Sequence, residues 1–313
     1  MATEHNGPEP ETTPVPGLSR GSHICVNRPG GIRHDGIYLG DGQVIHMASI
    51  PGQAKDKRGA SVQLGTLAAF AAGQPVIVRP YAHADDPDVI IERAMSRLGD
   101  GDYNLVFNNC QHFARWCVTG EPVSDQVNAG TARAGVVLAP VIGMPVSIAL
   151  VGSAGLASGL SGPGIMSGLA RCGSITGGGA VSGLLLLGLV TGGATLIAMN
   201  PELRDDRYLP DNERAARTAG RISSGVGLAA GSAGSILAVS ALGTPGLSGA
   251  GITSGLAALG SIFGGGMKTG TKCAIAIPAL TAIIFGYAAY RLYLHRAEVK
   301  CSRTTRSADN RQM

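Results

Sequence analysis

The sequence predicts an α+β protein in which an antiparallel sheet with helices is followed by a duplicated Gly/Ala-rich α-helical membrane region. Three observations support this fold class. Short β-type segments separated by turn signals occupy the first quarter of the 313 residues. Two segments with clear helix start and stop signals come next. The composition then shifts to Gly, Ala, Ser, Leu, Ile and Val, and a long stretch occurs there twice.

The chain opens on a polar segment, residues 1–19, which contains four prolines and is expected to be a disordered arm. It lacks a basic start followed by an apolar run, which argues against a secretory signal peptide. The six cysteines are scattered without CxxC spacing, so they suggest neither a zinc site nor a disulfide framework. Unpaired cysteines fit a reducing compartment. We expect no metal and no other cofactor.

The charge content narrows the range of partners. Charged residues make up 15% of the chain, below the roughly 25% of a soluble domain. The net charge of +4 is too small to argue for nucleic acid, and no basic patch interleaved with aromatic residues is present. Nucleic acid is therefore not an expected partner.

Five strands are predicted at residues 22–26, 35–39, 44–48, 61–64 and 76–79. The segment 51–60 between the third and fourth strands carries three basic residues and is expected to be an exposed loop. The Gly40-Asp41-Gly42-Gln43 segment is a hairpin signal between the second and third strands. Because a tight turn brings the outer ends of two strands together, His34 and His46 are expected to be neighbours.

Two helices follow the strands. The first is predicted at residues 86–98, where Asp86-Pro87 starts it and Gly99 lies just past its end. A short apolar strand at 103–107 leads to an Asn pair, and the second helix is predicted at 110–118. Asn108 or Asn109 can cap that helix.

Cys110 opens the second helix and is the strongest candidate for a nucleophile. The helix dipole and unpaired backbone donors favour thiolate over thiol, so a lowered pKa is expected for Cys110. An imidazole pair beside it would complete the nucleophile, base and orienter set of covalent catalysis. The plainer interpretations stay open: Cys110 as a small buried hydrophobe, and His34 and His46 as ordinary strand-end histidines. His112 points elsewhere on the helix, and a structural hydrogen bond is favoured for it.

Three separated motifs carry a family resemblance: Arg28-Pro29-Gly30, the segment from His34 to His46, and Asn109-Cys110-Gln111-His112-Phe113. In this order they resemble the lecithin:retinol acyltransferase domain, a permuted NlpC/P60 papain-like thiol enzyme. The resemblance covers about residues 18–121. It implies that Cys110 takes the acyl group as a thioester, that His34 is the general base, and that His46 orients His34. Gln111 stands where the family usually has Glu.

The composition changes again at Ala129, and an internal duplication follows. Residues 159–170 recur as 246–257, and the match extends from 177–179 to 264–266. Each copy has an apolar run, a glycine-punctuated middle and another apolar run. The runs are 136–157, 180–199, 226–242 and 273–290, and each approaches the ~20 residues that cross a bilayer core. We therefore predict two repeated helical hairpins that span a membrane, with a soluble Ala/Gly helical bundle as the alternative.

The predicted division of the chain follows from these changes. It comprises a disordered arm at 1–19, an acyltransferase-like domain at 20–122, repeat 1 at 130–200, a charged linker at 201–221, repeat 2 at 222–290 and a basic tail at 291–313. The linker and the tail are rich in arginine, so the positive-inside rule puts both on the cytoplasmic side. Two hairpins put the N-terminal domain there too, and the segments near Gly162 and Gly249 become external turns.

The sequence predicts a membrane-associated thiol acyltransferase or phospholipase that acts on a phospholipid or another acyl-lipid. Two alternatives remain. One is an NlpC/P60-type cysteine amidase or peptidase. The other is a non-enzymatic protein whose glycine-rich hairpins perturb membranes, with the N-terminal domain as a regulatory module.

Overall fold

The structure is a computed structural model, and it describes residues 15–29, 32–49, 60–101, 109–157 and 159–309. The chain divides into two compact units. One comprises Met1–Val127 with Tyr208–Pro210, and the other comprises Asn128–Arg207 with Asp211–Met313. Several predictions lie outside the described residues: the strand at 103–107, the cap role of Asn108, the loop at 51–59 and most of the arm at 1–19.

The first unit is built on a five-stranded antiparallel sheet with the strand order β4-β3-β2-β1-β5. Each predicted strand between residues 22 and 79 overlaps an observed one. The strands are β1 His23–Arg28, β2 Ile32–Gly40, β3 Gln43–Ser49, β4 Ala60–Thr66 and β5 Ile77–Val78. The helices of this unit are α1 Leu67–Ala71, α2 Pro87–Ser96 and α3 Cys110–Thr119. The sheet and its helices confirm the α+β class.

The hairpin between β2 and β3 forms where the glycines predict it. Gly40 pairs with Gln43, which leaves Asp41 and Gly42 as a two-residue loop. Both have positive φ, 49° and 70°, as a type I′ turn requires at its two central positions. The turn joins the two strands, and an irregularity between Tyr38 and Gly40 shifts their register by one residue, so that Gly36 pairs with His46.

The two faces of the sheet have separate apolar cores. On one face, Ile37 and Ile45 pack with Phe113 of α3 and Ile90 of α2. On the other face, Ile24, Val26 and Val44 pack with Phe70 of α1. Because both faces are covered, the strands lack a simple apolar–polar alternation, and consecutive residues of one strand contribute to different cores.

The second unit consists of two repeats with the same order of long, short and long helices. The first repeat has α4 Asp125–Ala154, α5 Gly162–Gly173 and α6 Ala180–Leu203, with a 3₁₀ turn at Ser174–Thr176. The second has α7 Asp211–Leu242, α8 Gly249–Ser261 and α9 Met267–Asp309. Among the described residues, four helices are long and apolar enough to cross a membrane: Asp125–Ala154, Ala180–Leu203, Asp211–Leu242 and Met267–Ala297.

The long helices of each repeat run antiparallel. In the second repeat, a Cβ built on Gly227 would come 2.5 Å from the Thr281 oxygen, and one on Gly220 would come 3.2 Å from the Gly286 oxygen. The contacting residue number on α9 therefore increases from 281 to 286 as the residue number on α7 decreases from 227 to 220, which is the order of contacts between antiparallel helices. In the first repeat, the Ser147 and Thr191 hydroxyls lie 3.4 Å apart, and a Cβ on Gly135 would lie 2.9 Å from Ala198 Cβ, so the order of contacts is again reversed.

Each repeat differs from a plain hairpin because its connection contains a short helix. Ser161 caps α5 by accepting from the Gly164 N–H at 3.3 Å, and Ser248 caps α8 by accepting from the Gly251 N–H at 3.2 Å. The segments near Gly162 and Gly249, which the sequence predicts to be turns, are thus the first turns of helices. The reason is local: a serine N-cap followed by apolar residues at helical spacing outweighs the glycines.

Candidate functional site

The start of α3 is held by a two-way cap. The Asn109 side chain accepts from the N–H groups of Gln111 at 3.0 Å and His112 at 3.1 Å. In return, His112 Nδ1 accepts from the Asn109 N–H at 3.4 Å. This confirms Asn109 as a cap and gives His112 the structural hydrogen bond that the sequence favours. Cys110 is therefore the first residue of a well-defined helix.

The Cys110 thiol points at β2. Its Sγ lies 3.7 Å from the Arg33 carbonyl oxygen and 3.8 Å from Asp35 Oδ2, at the distances of weak S–H donation. The residue is 8% exposed and belongs to the core between the sheet and α3. The thiol thus lies against the start of β2, and its neighbouring charged group is a carboxylate.

Asp35 is part of a buried polar chain. Its Oδ1 lies 2.9 Å from His23 Nε2, and His23 Nδ1 lies 2.7 Å from the Tyr81 hydroxyl. The side chains of His23 and Asp35 are both 0% exposed. Sequence reasoning missed this pair. The available signal in the sequence was one polar side chain, His23 or Asp35, inside each of two apolar strands. In the structure, the β1–β2 register pairs His23 with Ile37 and Cys25 with Asp35, which places the two side chains on the same face of the sheet.

His34 and His46 are neighbours, as the turn predicts. His34 Nε2 lies 2.8 Å from His46 Nδ1, and both rings pack on Phe70, with centroid distances of 5.0 and 5.3 Å. Phe70 belongs to the core on the face of the sheet opposite α3. Because His34 and Asp35 are consecutive in β2, their side chains point to opposite faces. The structure therefore brings the two histidines together, and it brings Cys110 to Asp35 rather than to the imidazoles.

The protonation of these groups follows from their burial. Burial and the charge of Arg28 lower the pKa of His46 to about 4, so this imidazole is neutral at physiological pH. Burial also lowers the pKa of His23, and it outweighs the opposing effect of Asp35. Burial opposes ionisation of Asp35, but the hydrogen bond from His23 and nearby positive charge outweigh it, and the pKa of Asp35 is lowered. The buried pair is therefore a neutral imidazole that donates to a carboxylate.

The Cys110 thiol is shifted in the opposite direction from the expectation. Burial, followed by the negative charge of Asp35, raises its pKa to about 12. The prediction of a lowered pKa is wrong for this arrangement, because the favourable helix terminus is outweighed by loss of solvent and by a carboxylate. Burial likewise raises the pKa of Cys117 to about 12. In the described part of the chain, Cys25, Cys110, Cys117, Cys172 and Cys273 are free thiols.

Gln111 connects α3 to the segment that follows it. The Gln111 side-chain oxygen accepts from the Ser124 hydroxyl at 2.8 Å and from the Gln126 N–H at 3.0 Å. The Gln126 side chain in turn accepts from the Arg33 N–H at 3.1 Å. These bonds fix the start of β2, where Arg33 carries the carbonyl oxygen in contact with Cys110.

An apolar cavity of about 200 Å³ adjoins α3. Met47, Val62, Phe113 and Trp116 provide its apolar wall. Its polar lining comes from Arg97, Asp100 and His112. In the ranges that the structure describes, no group of three His, Cys, Asp or Glu side chains is arranged to hold a metal ion.

Comparison with known proteins confirms the family resemblance. The family model for lecithin retinol acyltransferase matches residues 16–123. The chain is 30% identical over 125 residues to lecithin retinol acyltransferase of Bos taurus, and this alignment covers 31% of this chain and 53% of that protein. It is 31% identical over 134 residues to phospholipase A and acyltransferase 1 of Homo sapiens, covering 39% of this chain and 79% of that protein. The match to phospholipase A and acyltransferase 3 of Mus musculus is 31% over 139 residues, or 84% of that protein.

The family model matches the sheet-containing part of the chain. The chain spans about half the length of the lecithin retinol acyltransferases that it matches, 53% for the bovine protein. The family model ends at residue 123, before the duplicated helical region begins.

Proposed function

Because the chain belongs to the lecithin retinol acyltransferase family, we propose that its first unit is a lipid acyltransferase or phospholipase with Cys110 as nucleophile. One observation carries the proposal: Cys110 is the first residue of an Asn-capped helix within the segment that matches the family. A permuted NlpC/P60 arrangement is part of the proposal, and it is supported by the position of the five strands in the described ranges, which all precede the helix of the nucleophile.

The proposed reaction has two steps. A base takes the proton of Cys110, and Sγ attacks the carbonyl carbon of a lipid ester. The ester C–O bond then breaks, the base returns the proton to the leaving alkoxide, and the neutral alcohol departs, so that an acyl thioester remains. An amine, an alcohol or water then attacks the thioester, and the thiol takes back a proton. The acceptor decides whether the outcome is acyl transfer or hydrolysis. The relatives' names, lecithin retinol acyltransferase and phospholipase A and acyltransferase, support a phospholipid as acyl donor.

The base is the part of the proposal that the geometry constrains most. The resemblance assigns proton transfer to His34 and its orientation to His46, and the 2.8 Å contact between the two rings supports the second role. The rings lie on the face of the sheet away from α3, so the base role requires a rearrangement that brings His34 to Cys110 during the reaction. Asp35 is the acceptor that already contacts the thiol, at 3.8 Å.

The second unit supports a membrane location for the reaction. Many apolar side chains on its long helices are exposed. Examples are Val190 at 58%, Ile197 at 76% and Leu237 at 66% exposure. Lipid chains would cover such surfaces at no cost, whereas water would not. We propose four membrane crossings with the first unit and the C-terminal tail on the cytoplasmic side, where diacyl lipids are at high local concentration.

The proposal is tested by intact-mass spectrometry after incubation of the full chain with mixed phospholipid vesicles. The expected result is a mass increment of one acyl chain, mapped to Cys110, which Cys110→Ala abolishes. Cys117→Ala is the matched control, because Cys117 is also a buried thiol on α3, and it should keep the increment. Lipid turnover by Cys110→Ala at the wild-type rate would refute the proposal. Vesicle leakage that survives this change, without turnover, would favour the membrane-perturbing alternative.

A further inference from the structure

A buried carboxylate lies against the candidate nucleophile, and neither the proposed base nor its orienter accounts for it. Asp35 is 0% exposed, and its two oxygens have different partners. Oδ1 accepts from His23 Nε2 at 2.9 Å, and Oδ2 faces Cys110 Sγ at 3.8 Å. An ionisable group buried this deeply is costly unless hydrogen bonds and charges compensate it.

The compensation comes from several elements around the pair. Neutral His23 donates from Nε2 and accepts from the Tyr81 hydroxyl at Nδ1, which fixes its tautomer and aims Oδ2 at the thiol. The titratable and charged groups that interact with Asp35 are His23 and Cys25 on β1, Arg33 on β2, Arg79 and Tyr81 after β5, and Cys110 itself. Arg115 on α3 and Asp125 at the start of α4 interact with Tyr81. Arg79 itself is paired with Asp125 at 2.8 Å.

These contacts have a direct electrostatic consequence. A thiolate at Cys110 would place a second negative charge beside the Asp35 carboxylate, in a core with little water to screen it. Like charges at this separation disfavour each other's ionised form. The neutral thiol has no such penalty, and it can donate its proton to Oδ2 or to the Arg33 carbonyl oxygen.

We propose that Asp35, held by His23 and Tyr81, is the electrostatic partner that keeps Cys110 as a neutral thiol in the resting protein. The proposal rests on the proposed role of Cys110 as nucleophile, and it adds a determinant of that residue's reactivity. A resting thiol of this kind reacts slowly with electrophiles and oxidants, because the thiolate is the reactive form. His23 acts as a positioning residue, since it acts on Cys110 only through Asp35.

The test removes the charge of Asp35 and leaves its shape. In full-length Asp35→Asn, alkylation of Cys110 by iodoacetamide at pH 7 should be at least about tenfold faster, because one pKa unit changes the thiolate fraction tenfold. The pH profile of alkylation should move to lower pH. The matched control is Asp41→Asn, which removes the same charge from the exposed β2–β3 turn, where asparagine tolerates the positive φ. Asp35→Glu keeps the charge and should keep Cys110 slow.

Two results would overturn the inference: a Cys110 profile in Asp35→Asn that coincides with that of Asp41→Asn, or equal acceleration in Asp35→Asn and Asp35→Glu. If Asp35→Asn does not fold, Asp35→Ser, which also removes the charge, takes its place with the same expected acceleration. In the wild-type protein, the ultraviolet absorbance of a Cys110 thiolate, measured against Cys110→Ser, should be absent at pH 7, and a thiolate signal there would refute the proposal. Alkylation and absorbance need no lipid, so their outcomes are independent of the outcome of the acyl-transfer experiment.

Discussion

At the scale of single residues, the tertiary neighbours of Cys110 affect its pKa more than its position in the helix does. A capped helix start favours a thiolate by roughly 0.3–1 kcal/mol at exposed sites. Burial and a carboxylate 3.8 Å away oppose it, and they raise the pKa of Cys110 to about 12. The larger effect belongs to groups brought together by the fold of the sheet.

The base assignment gives a prediction at this scale. His34→Gln should lower the rate of Cys110 acylation by phospholipid ~10²–10⁴-fold, since it removes proton transfer. His46→Gln should cost less, because His46 only orients its neighbour through the 2.8 Å contact. Single-turnover acylation, followed by mass spectrometry, measures both. If His34→Gln keeps the wild-type rate and His23→Gln loses most of it, the proton acceptor is instead the His23–Asp35 pair on the α3 side of the sheet.

Sequence reasoning predicted the contact between His34 and His46 because it depends on a local turn. It could not predict the face on which they lie. Both faces of β2 and β3 carry apolar residues, such as Ile37 on one and Val44 on the other. Without one polar face, the alternation does not reveal the side that α3 covers, and a non-local packing choice decides whether His34 or Asp35 meets Cys110.

At the scale of elements, glycines have two different roles that look alike in the sequence. In the first unit they serve turns and caps: Gly42 in the hairpin and Gly120 at the end of α3 both have positive φ. In the second unit they allow helix backbones to meet. A Cβ on Gly168 would lie 1.9 Å from the Val151 oxygen, and one on the equivalent Gly255 would lie 1.8 Å from the Val239 oxygen. The short helices α5 and α8 therefore pack directly on the backbones of α4 and α7.

This close approach predicts opposite effects for the same substitution. Gly168→Ala and Gly255→Ala should each lower the free energy of unfolding by about 1–3 kcal/mol, because a methyl group must displace a backbone carbonyl. Gly193→Ala is the control: nothing lies within 4 Å of its Cβ position, so it should be neutral or stabilise α6 by up to about 1 kcal/mol. Thermal unfolding of the detergent-solubilised protein measures all three. Equal midpoints for Gly168→Ala and Gly193→Ala would show that α5 does not pack against α4 as described.

At the scale of the whole molecule, the internal duplication is the property that sequence reasoning captured most fully. Two copies of one sequence must bury the same residues in the same way, so the long–short–long plan recurs. The short helices escaped prediction because glycine content alone indicates turns. Only the serine caps, together with apolar positions such as Ile165 and its equivalent Ile252, show that these segments are helical and buried.

Polar contacts among the end of α6, the start of α7 and α9 indicate where an apolar layer would end. The Tyr287 hydroxyl donates to Glu202 at 2.7 Å, and Arg217 pairs with Glu213 at 3.2 Å. Glu202 lies at the end of α6, and Glu213 and Arg217 lie at the start of α7, all within the arginine-rich segment 201–221, whereas Tyr287 lies on α9. From the positive-inside rule we predict that this end faces the cytoplasm and that the ends that carry the short helices face outward.

The topology is the last prediction. Single cysteines in a cysteine-free background should report it. Ser174→Cys and Ser261→Cys stand at equivalent exposed positions at the C-terminal ends of α5 and α8, and Asp211→Cys stands at the exposed start of α7. The first two should react with an impermeant thiol reagent added to intact cells, and the third only after permeabilisation. The full chain should stay in the membrane pellet after an alkaline carbonate wash, because apolar helices are held by burial in lipid rather than by surface charge. Release by carbonate, with all three cysteines reacting only after permeabilisation, would identify the second unit as a soluble helical bundle. Retention with reaction from the opposite side would keep the four crossings and reverse their orientation.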